Sequence, residues 1–258
     1  MFRDLRKSTS MDTYDDLSLP ADTLQLLADF AAEQDANVKA FEDLKLETAE
    51  DTEKAAADGK LTMDVFTEDW NASQFWYTDA TAKVYAEQLL DGATSDSSIA
   101  IVSTPSVYVA LRNVLHERGN DIKPRLCLLE YDKRFEVFGS DFVPYDFQHP
   151  LRLPSELKGR FDRIICDPPF LSDDCQTKIA MTIRYLAQSW SATPIDEVMG
   201  DSGLRFIAGT GAVTASLNKK LYSRINLQAT DFEPEHRNGL SNEWRCYANF
   251  ECGAWKWE

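Results

Sequence analysis

Residues 161–170 read FDRIICDPPF, and they predict a buried strand that stops at a rigid turn. The apolar run at 164–166 is typical of a strand that is covered on both faces. Asp167 and the two prolines after it do not extend the strand, because each proline fixes φ and lacks a backbone donor. The turn therefore presents a carboxylate and free carbonyl oxygens at the carboxyl edge of a sheet, which is where open α/β sheets bind ligands.

The turn at 167–170 is rich in hydrogen-bond acceptors and poor in donors. Such a turn suits an amine that is held by its N–H groups while its lone pair points towards an electrophile. The predicted catalytic residues are therefore Asp167, Pro168, Pro169 and Phe170, with Phe170 as an aromatic wall. The alternative interpretation is a proline turn that only ends a strand, and the surrounding sequence has to decide between the two.

The rest of the chain predicts an α/β fold in which strands alternate with helices. Asp79 is predicted to cap one helix, because Asp is a preferred N-cap residue. Thr104 and Pro105 are predicted to start a second helix, as its N-cap and first residue. The predicted helices lie at 79–90, 104–117, 133–138 and 174–190. The predicted strands lie at 98–103, 125–130, 140–145, 161–166 and 204–208, followed by a closing pair at 225–232 and 243–251. This order predicts a doubly wound sheet with an antiparallel C-terminal hairpin.

The first quarter of the chain has a different composition from the rest. Residues 1–19 are polar, and residues 20–34 carry apolar side chains at helical spacing. Residues 35–60 are rich in Glu, Asp, Lys and Ala, which is typical of a solvated helix or linker. The predicted division is a helical, partly disordered extension at 1–62 and one main domain at 63–258.

The charge balance indicates which partners suit the chain. A net charge of −16 opposes binding to a nucleic-acid backbone, because that affinity comes largely from Lys and Arg that neutralise phosphates. An acidic enzyme is instead steered towards a basic protein. The sequence therefore predicts a basic protein partner and no nucleic acid.

The five cysteines and three histidines give no sign of a metal site or a disulfide framework. The cysteines are odd in number and lack C-x-x-C spacing, so they are predicted to be reduced thiols in a cytoplasmic protein. His116, His149 and His236 lie far apart in sequence and are interpreted as incidental. No apolar run approaches the roughly 20 residues of a membrane span, and the N-terminus lacks the apolar core of a signal peptide.

An ordered set of motifs resembles a known family. DPPF after a buried strand resembles the [DNS]PP[YFW] motif of amino-group methyltransferases that use S-adenosylmethionine and have a Rossmann-like fold. The wider set is similar to the eukaryotic elongation factor 1-alpha lysine methyltransferase family, formerly classed with adenine-specific DNA methyltransferases, and to its fungal members. The match runs from about residue 65 to the C-terminus and rests on SQFWYT (73–78), IAIVSTPSVYVAL (99–111), LLEYDKRFEVFG (128–139), YDF (145–147), DPPFLSDDC (167–175) and NEWRCYANF (242–250).

The resemblance implies a seven-stranded methyltransferase sheet and S-adenosylmethionine as the methyl donor. It also implies methylation of a lysine of translation elongation factor 1-alpha. An acid at the end of the second strand of such a sheet accepts from ribose hydroxyls, which favours Glu130 with Asp132 as its competitor. Asp146 follows the third strand, where related enzymes contact the adenine amine.

The first loop of this chain departs from the usual glycine-rich pattern, since it reads Ser103-Thr104-Pro105-Ser106. Hydroxyl groups and the free N–H groups of a helix N-terminus can still receive the carboxylate of the cofactor. Pro105 cannot donate, so Ser103, Thr104 and Ser106 are the predicted contacts.

Aromatic residues are predicted to surround the acceptor lysine. Phe170, with Phe75, Trp76 and Tyr77, can form a sleeve around the lysine stem and its cation. The alternative is that residues 75–77 belong only to the core. In an extended stretch, at least one of three consecutive aromatic side chains points to the opposite face.

Two other functions remain open at this point. An adenine methyltransferase would use the same turn on an exocyclic amine, with Phe170 stacked on a flipped base. A non-catalytic adaptor with the same fold is slightly favoured by the glycine-free first loop, whereas the intact DPPF turn and Glu130 count against it.

Overall fold

The computed structural model describes residues 61–64, 66–68, 74–191 and 203–258. All of these residues belong to the same compact unit. The predicted helix at 20–34 and the charged stretch at 35–60 lie outside the described residues. The division of the chain at residue 62 therefore stays a prediction.

The described part of the chain forms a seven-stranded sheet in the order β3-β2-β1-β4-β5-β7-β6. Strands β1 to β5 run parallel, and β7 lies antiparallel to both β5 and β6. This is the predicted doubly wound sheet with an antiparallel closing pair, so the predicted fold class is confirmed. The strands are β1 Ser98–Val102, β2 Arg125–Glu130, β3 Phe142–Pro144, β4 Arg163–Cys166, β5 Arg205–Gly211, β6 Gln228–Ala229 and β7 Trp244–Ala248.

Four α-helices of the described residues cover the sheet. They are α1 Asp79–Leu90, α2 Pro105–Glu117, α3 Asp173–Leu186 and α4 Ala215–Leu221. The cap of α1 is Thr78 and not the predicted Asp79, because the Thr78 side chain accepts from the Thr81 amide at 3.2 Å. Pro105 does begin α2, but the hydroxyl of Thr104 makes no capping bond. Short 3-10 helices lie at Lys133–Asp141, Ser155–Leu157, Ala212–Thr214 and Ser223–Ile225.

Strand β1 shows why the central strands are apolar throughout. Ile99 and Ile101 pack into the core layer that includes α1 and α2, whereas Ala100 and Val102 pack into the layer that includes α3. Successive side chains of a strand point to opposite faces of the sheet. A strand that is covered by helices on both faces is therefore apolar at every position.

Several predicted boundaries are wrong, and three of them show how local backbone geometry sets the limit of an element. The third strand starts at Phe142 and not at 140, because a 3-10 segment runs to Asp141 through Gly139 at φ +61°. The sixth strand starts only at Gln228, because Asn226 is left-handed. Helix α3 ends at Leu186, and the next residue forms a β-bridge to Phe161.

Other sequence expectations concern cysteines, metals and membranes. All five cysteines are free thiols. Nowhere in the ranges that the structure describes do three or more His, Cys, Asp or Glu side chains gather as metal ligands would. Of the helices seen in those ranges, none combines the length and the apolar character needed to cross a bilayer.

Helix α3 offers a matched test of its packing. Ile179 is fully buried, whereas Met181, two residues along the same helix, is 43% exposed. We expect Ile179→Ala to lower the free energy of unfolding by about 2–5 kcal/mol, because it leaves a cavity in the core. Met181→Ala is expected to cost about 1 kcal/mol or less. Urea titration measures both, and equal losses would contradict the burial of this face.

Candidate active site

The DPPF turn, residues 167–170, follows the central strand β4 and is fixed from two sides. The Asp167 amide donates to the Val102 carbonyl at the end of β1, at 3.1 Å. The buried Gln176 side chain on α3 donates to the Phe170 carbonyl at 2.9 Å and to the Thr210 hydroxyl at 3.2 Å. A turn with two prolines has few donors of its own, so its neighbours supply the hydrogen bonds that keep it in place.

A cavity of about 940 Å³ runs along the carboxyl edge of the sheet. The ends of β1, β2 and β4 contribute Ser103, Glu130 and the DPPF turn. The residues after β3 contribute a second wall, and a third is shared by the segments 74–76 and 238–242. A cavity of this size and position is typical of a small-molecule site in an open α/β sheet.

Most of the predicted site residues meet in this cavity. Its lining includes nine of them: Phe75, Trp76, Ser103, Glu130, Asp146, Asp167, Pro168, Pro169 and Phe170. Four other predicted residues are not in the lining, namely Tyr77, Thr104, Ser106 and Asp132. Trp76 is only 5% exposed, and its indole nitrogen donates to the Phe66 carbonyl at 2.8 Å, so most of its ring belongs to the core.

Asp132 is committed to local structure. Its carboxylate lies 2.6 Å from the Arg134 guanidinium and accepts from the Gln74 amide at 2.8 Å. Arg134 in turn donates to the Thr67 carbonyl at 3.0 Å. These contacts join the end of β2 to the chain that precedes α1, and they leave the neighbouring Glu130 as the acid that lines the cavity.

Glu130 is buried at the end of β2, where its Oε1 atom accepts two backbone N–H groups. The amides of Tyr131 and Asp132 donate to it at 2.8 and 3.2 Å. Burial nevertheless raises the pKa of Glu130 to about 7. Any further hydroxyl donor that reaches this buried carboxylate would stabilise its ionised form.

The first loop is glycine-free but adopts the geometry that glycine usually provides. Ser103 has a φ of +55°, in the left-handed region, and its amide donates to the Leu129 carbonyl at 2.9 Å. Thr104 is 2% exposed, and its buried hydroxyl lacks a partner among the described residues. A non-glycine residue in this region and an unpaired buried hydroxyl are both features that mark ligand sites.

Asp167 lies close to a residue that was predicted to contact substrate. The buried Tyr77 hydroxyl accepts from the Trp244 indole nitrogen at 3.3 Å, and the charge of Asp167 helps to raise the pKa of Tyr77. Burial raises the pKa of Asp167 well above its usual range, and the nearby Tyr77 hydroxyl acts in the opposite direction. The negative charge of Glu130 raises that pKa further.

The open side of the cavity carries aromatic side chains. Phe170 is 43% exposed, and its ring centroid lies 5.7 Å from that of Phe147. Tyr131 is 71% exposed and also lines the cavity. The sequence did not identify Tyr131 and Phe147 as site residues. They directly follow Glu130 and Asp146, two acids that were predicted to bind the cofactor.

The loop at 236–242 is a part of the site that the sequence did not reveal. Arg237 holds it against the start of α1 through Asp64 at 2.7 Å and Asp79 at 2.6 Å. The Arg237 amide also donates to the Trp76 carbonyl at 2.9 Å. His236, interpreted from sequence as incidental, lines the cavity and packs on the Tyr77 ring with centroids 4.6 Å apart. Burial lowers its pKa to about 4, so this imidazole is neutral.

The strand order, the buried acid at the end of β2 and the DPPF turn define a Rossmann-like methyltransferase. A family model described as "Probable N6-adenine methyltransferase" matches residues 68–252. The chain is 42% identical to "Protein-lysine N-methyltransferase EFM5" of Saccharomyces cerevisiae, over 93% of this chain and 94% of the relative. It is 32% identical to "EEF1A lysine methyltransferase 1" of Mus musculus, over 91% of this chain and 92% of that protein.

A solved structure supports the fold. The branched-chain polyamine synthase of Thermus thermophilus, in complex with N4-aminopropylspermidine and 5'-methylthioadenosine, superposes with a TM-score of 0.51 at 11% identity. The match covers 80% of this chain and 65% of that one. Given its sequence relatives and the family model, the chain belongs to the family of methyltransferases that includes these protein-lysine N-methyltransferases.

The support of the DPPF turn by Gln176 can be tested by mutation. We expect Gln176→Leu to lower the free energy of unfolding by about 1–3 kcal/mol, because the Phe170 carbonyl loses its buried donor. Gln188→Leu is the control, since Gln188 is exposed just beyond α3. Urea titration compares the two variants, and a loss no greater than that of the control would contradict a structural role for Gln176.

Proposed function

We propose that this chain is an S-adenosylmethionine-dependent protein-lysine N-methyltransferase whose acceptor is a lysine of translation elongation factor 1-alpha. The observation that carries the proposal is the carboxylate of Asp167 in the cavity wall. Among the described residues, none of the groups that shift its pKa is a cation. A lysine ammonium supplies the missing charge in a form that a carboxylate binds well.

The names of the relatives support a lysine as the methyl acceptor and elongation factor 1-alpha as the protein that carries it. The yeast protein is named a protein-lysine N-methyltransferase, and the mouse protein an EEF1A lysine methyltransferase. The net charge of −16 is in keeping with a basic protein substrate. The free state of all five cysteines is in keeping with the reducing cytoplasm, where we expect the enzyme to act.

The residues at the carboxyl edge fit S-adenosylmethionine, which supplies an electrophilic methyl group on a sulfonium. We assign Glu130 to the ribose hydroxyls, because a buried carboxylate with a raised pKa gains from two hydroxyl donors. We assign the first loop to the carboxylate of the cofactor through Ser103, Thr104 and the Ser106 amide at the start of α2. The unpaired hydroxyl of Thr104 is the observation that favours this choice. Asp146, in the wall after β3, is assigned to the adenine amine.

Asp167 and the Pro168 carbonyl are assigned to hold the acceptor nitrogen. A lysine ε-amine has a pKa of about 10.4, so only about one in a thousand is neutral at pH 7.4. Only the neutral form attacks an electrophile, and burial in a pocket favours that form. The prolines donate no N–H to the nitrogen, so its lone pair stays free. Most of the rate acceleration of methyl transfer then comes from the proximity and alignment of the amine and the methyl group.

The stem of the lysine is assigned to the aromatic wall. Phe170 and Phe147 form the exposed edge of this wall, and Phe75 belongs to the part of the cavity lining at 74–76. Aromatic faces attract a cation that passes over them and bury the methylene groups of the stem. Trp76 supports this wall mainly from the core.

The decisive experiment transfers labelled methyl groups from S-adenosylmethionine to purified elongation factor 1-alpha and to a cell lysate. Wild-type enzyme is expected to label elongation factor 1-alpha in both, and Asp167→Ala is expected to lower the rate at least 100-fold, because it removes the group that holds the amine. Asp173→Ala is the control, since Asp173 is exposed in the first turn of α3.

Other outcomes would redirect the proposal. Label in nuclease-sensitive material would favour an adenine methyltransferase, in which Phe170 stacks on a flipped base. Cofactor binding without label in protein or nucleic acid would contradict the proposed acceptor. An adaptor function would follow if calorimetry detected no cofactor binding.

The pKa of Glu130 predicts how cofactor binding depends on pH. The ionised carboxylate accepts ribose hydroxyls, and a pKa of about 7 means that protonation removes this form as the pH falls. Affinity for S-adenosylmethionine is therefore expected to be about tenfold lower at pH 6 than at pH 8. Calorimetry measures this change. Glu130→Gln should bind more weakly at pH 8 and lose the pH dependence, whereas an unchanged dependence would contradict the assignment.

A further inference from the structure

The cavity wall at 74–76 lies outside the helices and strands, so side chains have to hold it in place. We call these three residues the wall segment. At its C-terminal end, the Trp76 amide donates to a Glu68 carboxylate oxygen at 2.7 Å, and the Trp76 carbonyl accepts from the Arg237 amide at 2.9 Å. At its N-terminal end, the side-chain amide of Gln74 is bonded to residues that follow β2.

The Gln74 side chain belongs to a closed ring of hydrogen bonds. Its nitrogen donates to Asp132 Oδ2 at 2.8 Å, and its oxygen accepts from Arg134 Nη2 at 3.0 Å. Arg134 Nε closes the ring by donating to the same Asp132 oxygen at 2.8 Å. Arg134 Nη2 also donates to the Thr67 carbonyl at 3.0 Å. The side chains of Arg134 and Asp132 are each only 10% exposed, so water competes little for these bonds.

The hydrogen-bonded ring stands next to the proposed cofactor site. The Asp132 amide donates to Glu130 Oε1 at 3.2 Å, and Asp132 Oδ1 accepts from the Arg134 amide at 2.9 Å. Glu130 and Gln74 both line the cavity, whereas Arg134 is absent from the lining. The ring therefore sets the position of the wall segment relative to the end of β2, and Arg134 takes part without touching a ligand.

We propose that Arg134 is a positioning residue that holds the wall segment where Phe75 meets the acceptor. The inference rests on the proposed methyltransferase function and adds a residue to it. A guanidinium suits this task because its donors have fixed directions in one plane, so it binds a carboxylate, a carbonyl and an amide oxygen together. A wall that is fixed before the acceptor arrives reduces the entropy lost on binding. The loss of Arg134 should therefore weaken the use of the acceptor more than the binding of the cofactor.

Arg205 provides a matched control at the opposite edge of the sheet. It begins β5, and its Nε atom donates to the Gln88 carbonyl at 2.8 Å. Its Nη2 atom donates to the Gln88 side-chain oxygen at 3.3 Å and to the Asp91 carboxylate at 3.2 Å. The Arg205 side chain is 12% exposed, and the residue is absent from the cavity lining. Arg205 thus resembles Arg134 in burial and in the types of its partners, but it lies away from the site.

The first test compares Arg134→Lys with Arg205→Lys, because lysine keeps the charge and loses the fixed directions of the donors. Arg134→Lys should lower kcat/KM for elongation factor 1-alpha about tenfold, mainly through a higher KM, as expected for one lost hydrogen bond to a charged group. The Kd for S-adenosylmethionine, measured by calorimetry, should stay within about twofold of the wild-type value. Arg205→Lys should keep the wild-type kinetics. Equal losses in the two variants, or a cofactor Kd that rises as much as the KM, would overturn the proposal.

The second test breaks the ring at Gln74. Gln74→Met removes both amide bonds and leaves the ion pair of Asp132 and Arg134 in place. It should lower kcat/KM about as much as Arg134→Lys. Because both substitutions break the same ring, the double variant should lose little more than the weaker single variant. Additive losses would mean that Gln74 acts on the acceptor independently of Arg134, and they would contradict the proposal.

Hydrogen–deuterium exchange separates the role of Arg134 from the proposed function. The amides of Trp76 and Thr78 donate hydrogen bonds in the native structure, so their exchange reports how firmly this stretch is held. Without any substrate, Arg134→Lys should speed exchange in the peptide 74–78 by about fivefold or more, and Arg205→Lys should not. Unchanged exchange in Arg134→Lys would overturn the positioning role. Failure of the wild-type enzyme to methylate elongation factor 1-alpha would instead contradict the proposed function and leave the exchange comparison valid.

Discussion

A partly buried carboxylate at the end of the central strand imposes the main constraint on this structure. Asp167 follows β4, and the two residues after it are prolines that donate no N–H. A buried carboxylate needs donors or a positive charge, because otherwise it loses the hydration that stabilises its charge. The Tyr77 hydroxyl, from ninety residues earlier in the chain, acts to lower the pKa of Asp167, and Gly209 in β5 leaves the space that this hydroxyl occupies.

The antiparallel strand β7 extends this constraint to the C-terminal part of the chain. In the β5–β7 register, Gly211 pairs with Trp244 and Gly209 pairs with Cys246. This pairing brings the Trp244 indole to the Tyr77 hydroxyl. The loop before β7 is joined to the chain before α1 by the Arg237 ion pairs and by backbone bonds. The proposed acceptor side of the cavity is therefore built by segments from both ends of the domain, whereas the ends of β1 and β2 form the proposed cofactor side.

The parts of the fold that depend on local sequence were predictable. The apolar runs of β1, β2 and β4 mark strands that are buried on both faces, and the prolines mark the turn after β4. The choice of Glu130, which lines the cavity, followed from its place at the end of a strand together with the family resemblance. The short strands β3 and β6 were overestimated, because Gly139 and Asn226 bend the backbone just before them. Such bends depend on a few torsion angles that composition does not reveal.

The orientation of the aromatic residues was not predictable from sequence. Phe75, Trp76 and Tyr77 are consecutive, and alternation says only that they do not all share one face. The segment's hydrogen bonds to the loop before β7 select the face, and that contact spans more than 150 residues. The close approach at Gly209 is equally invisible, because a glycine in a buried strand has several explanations. For this reason Tyr77, which was predicted to line the substrate site, is instead buried outside the cavity lining.

Burial of Asp167 also gives the proposed lysine acceptor a chemical advantage over a free amine in water. Burial raises the pKa of a carboxyl group and lowers that of an amine, so it brings the two values towards each other. An ammonium that enters the cavity first pairs with the ionised carboxylate. Once water is excluded, the neutral pair of carboxylic acid and amine becomes less unfavourable relative to the ion pair. The same burial that raises the pKa of Asp167 thus helps to expose the lone pair on the acceptor nitrogen.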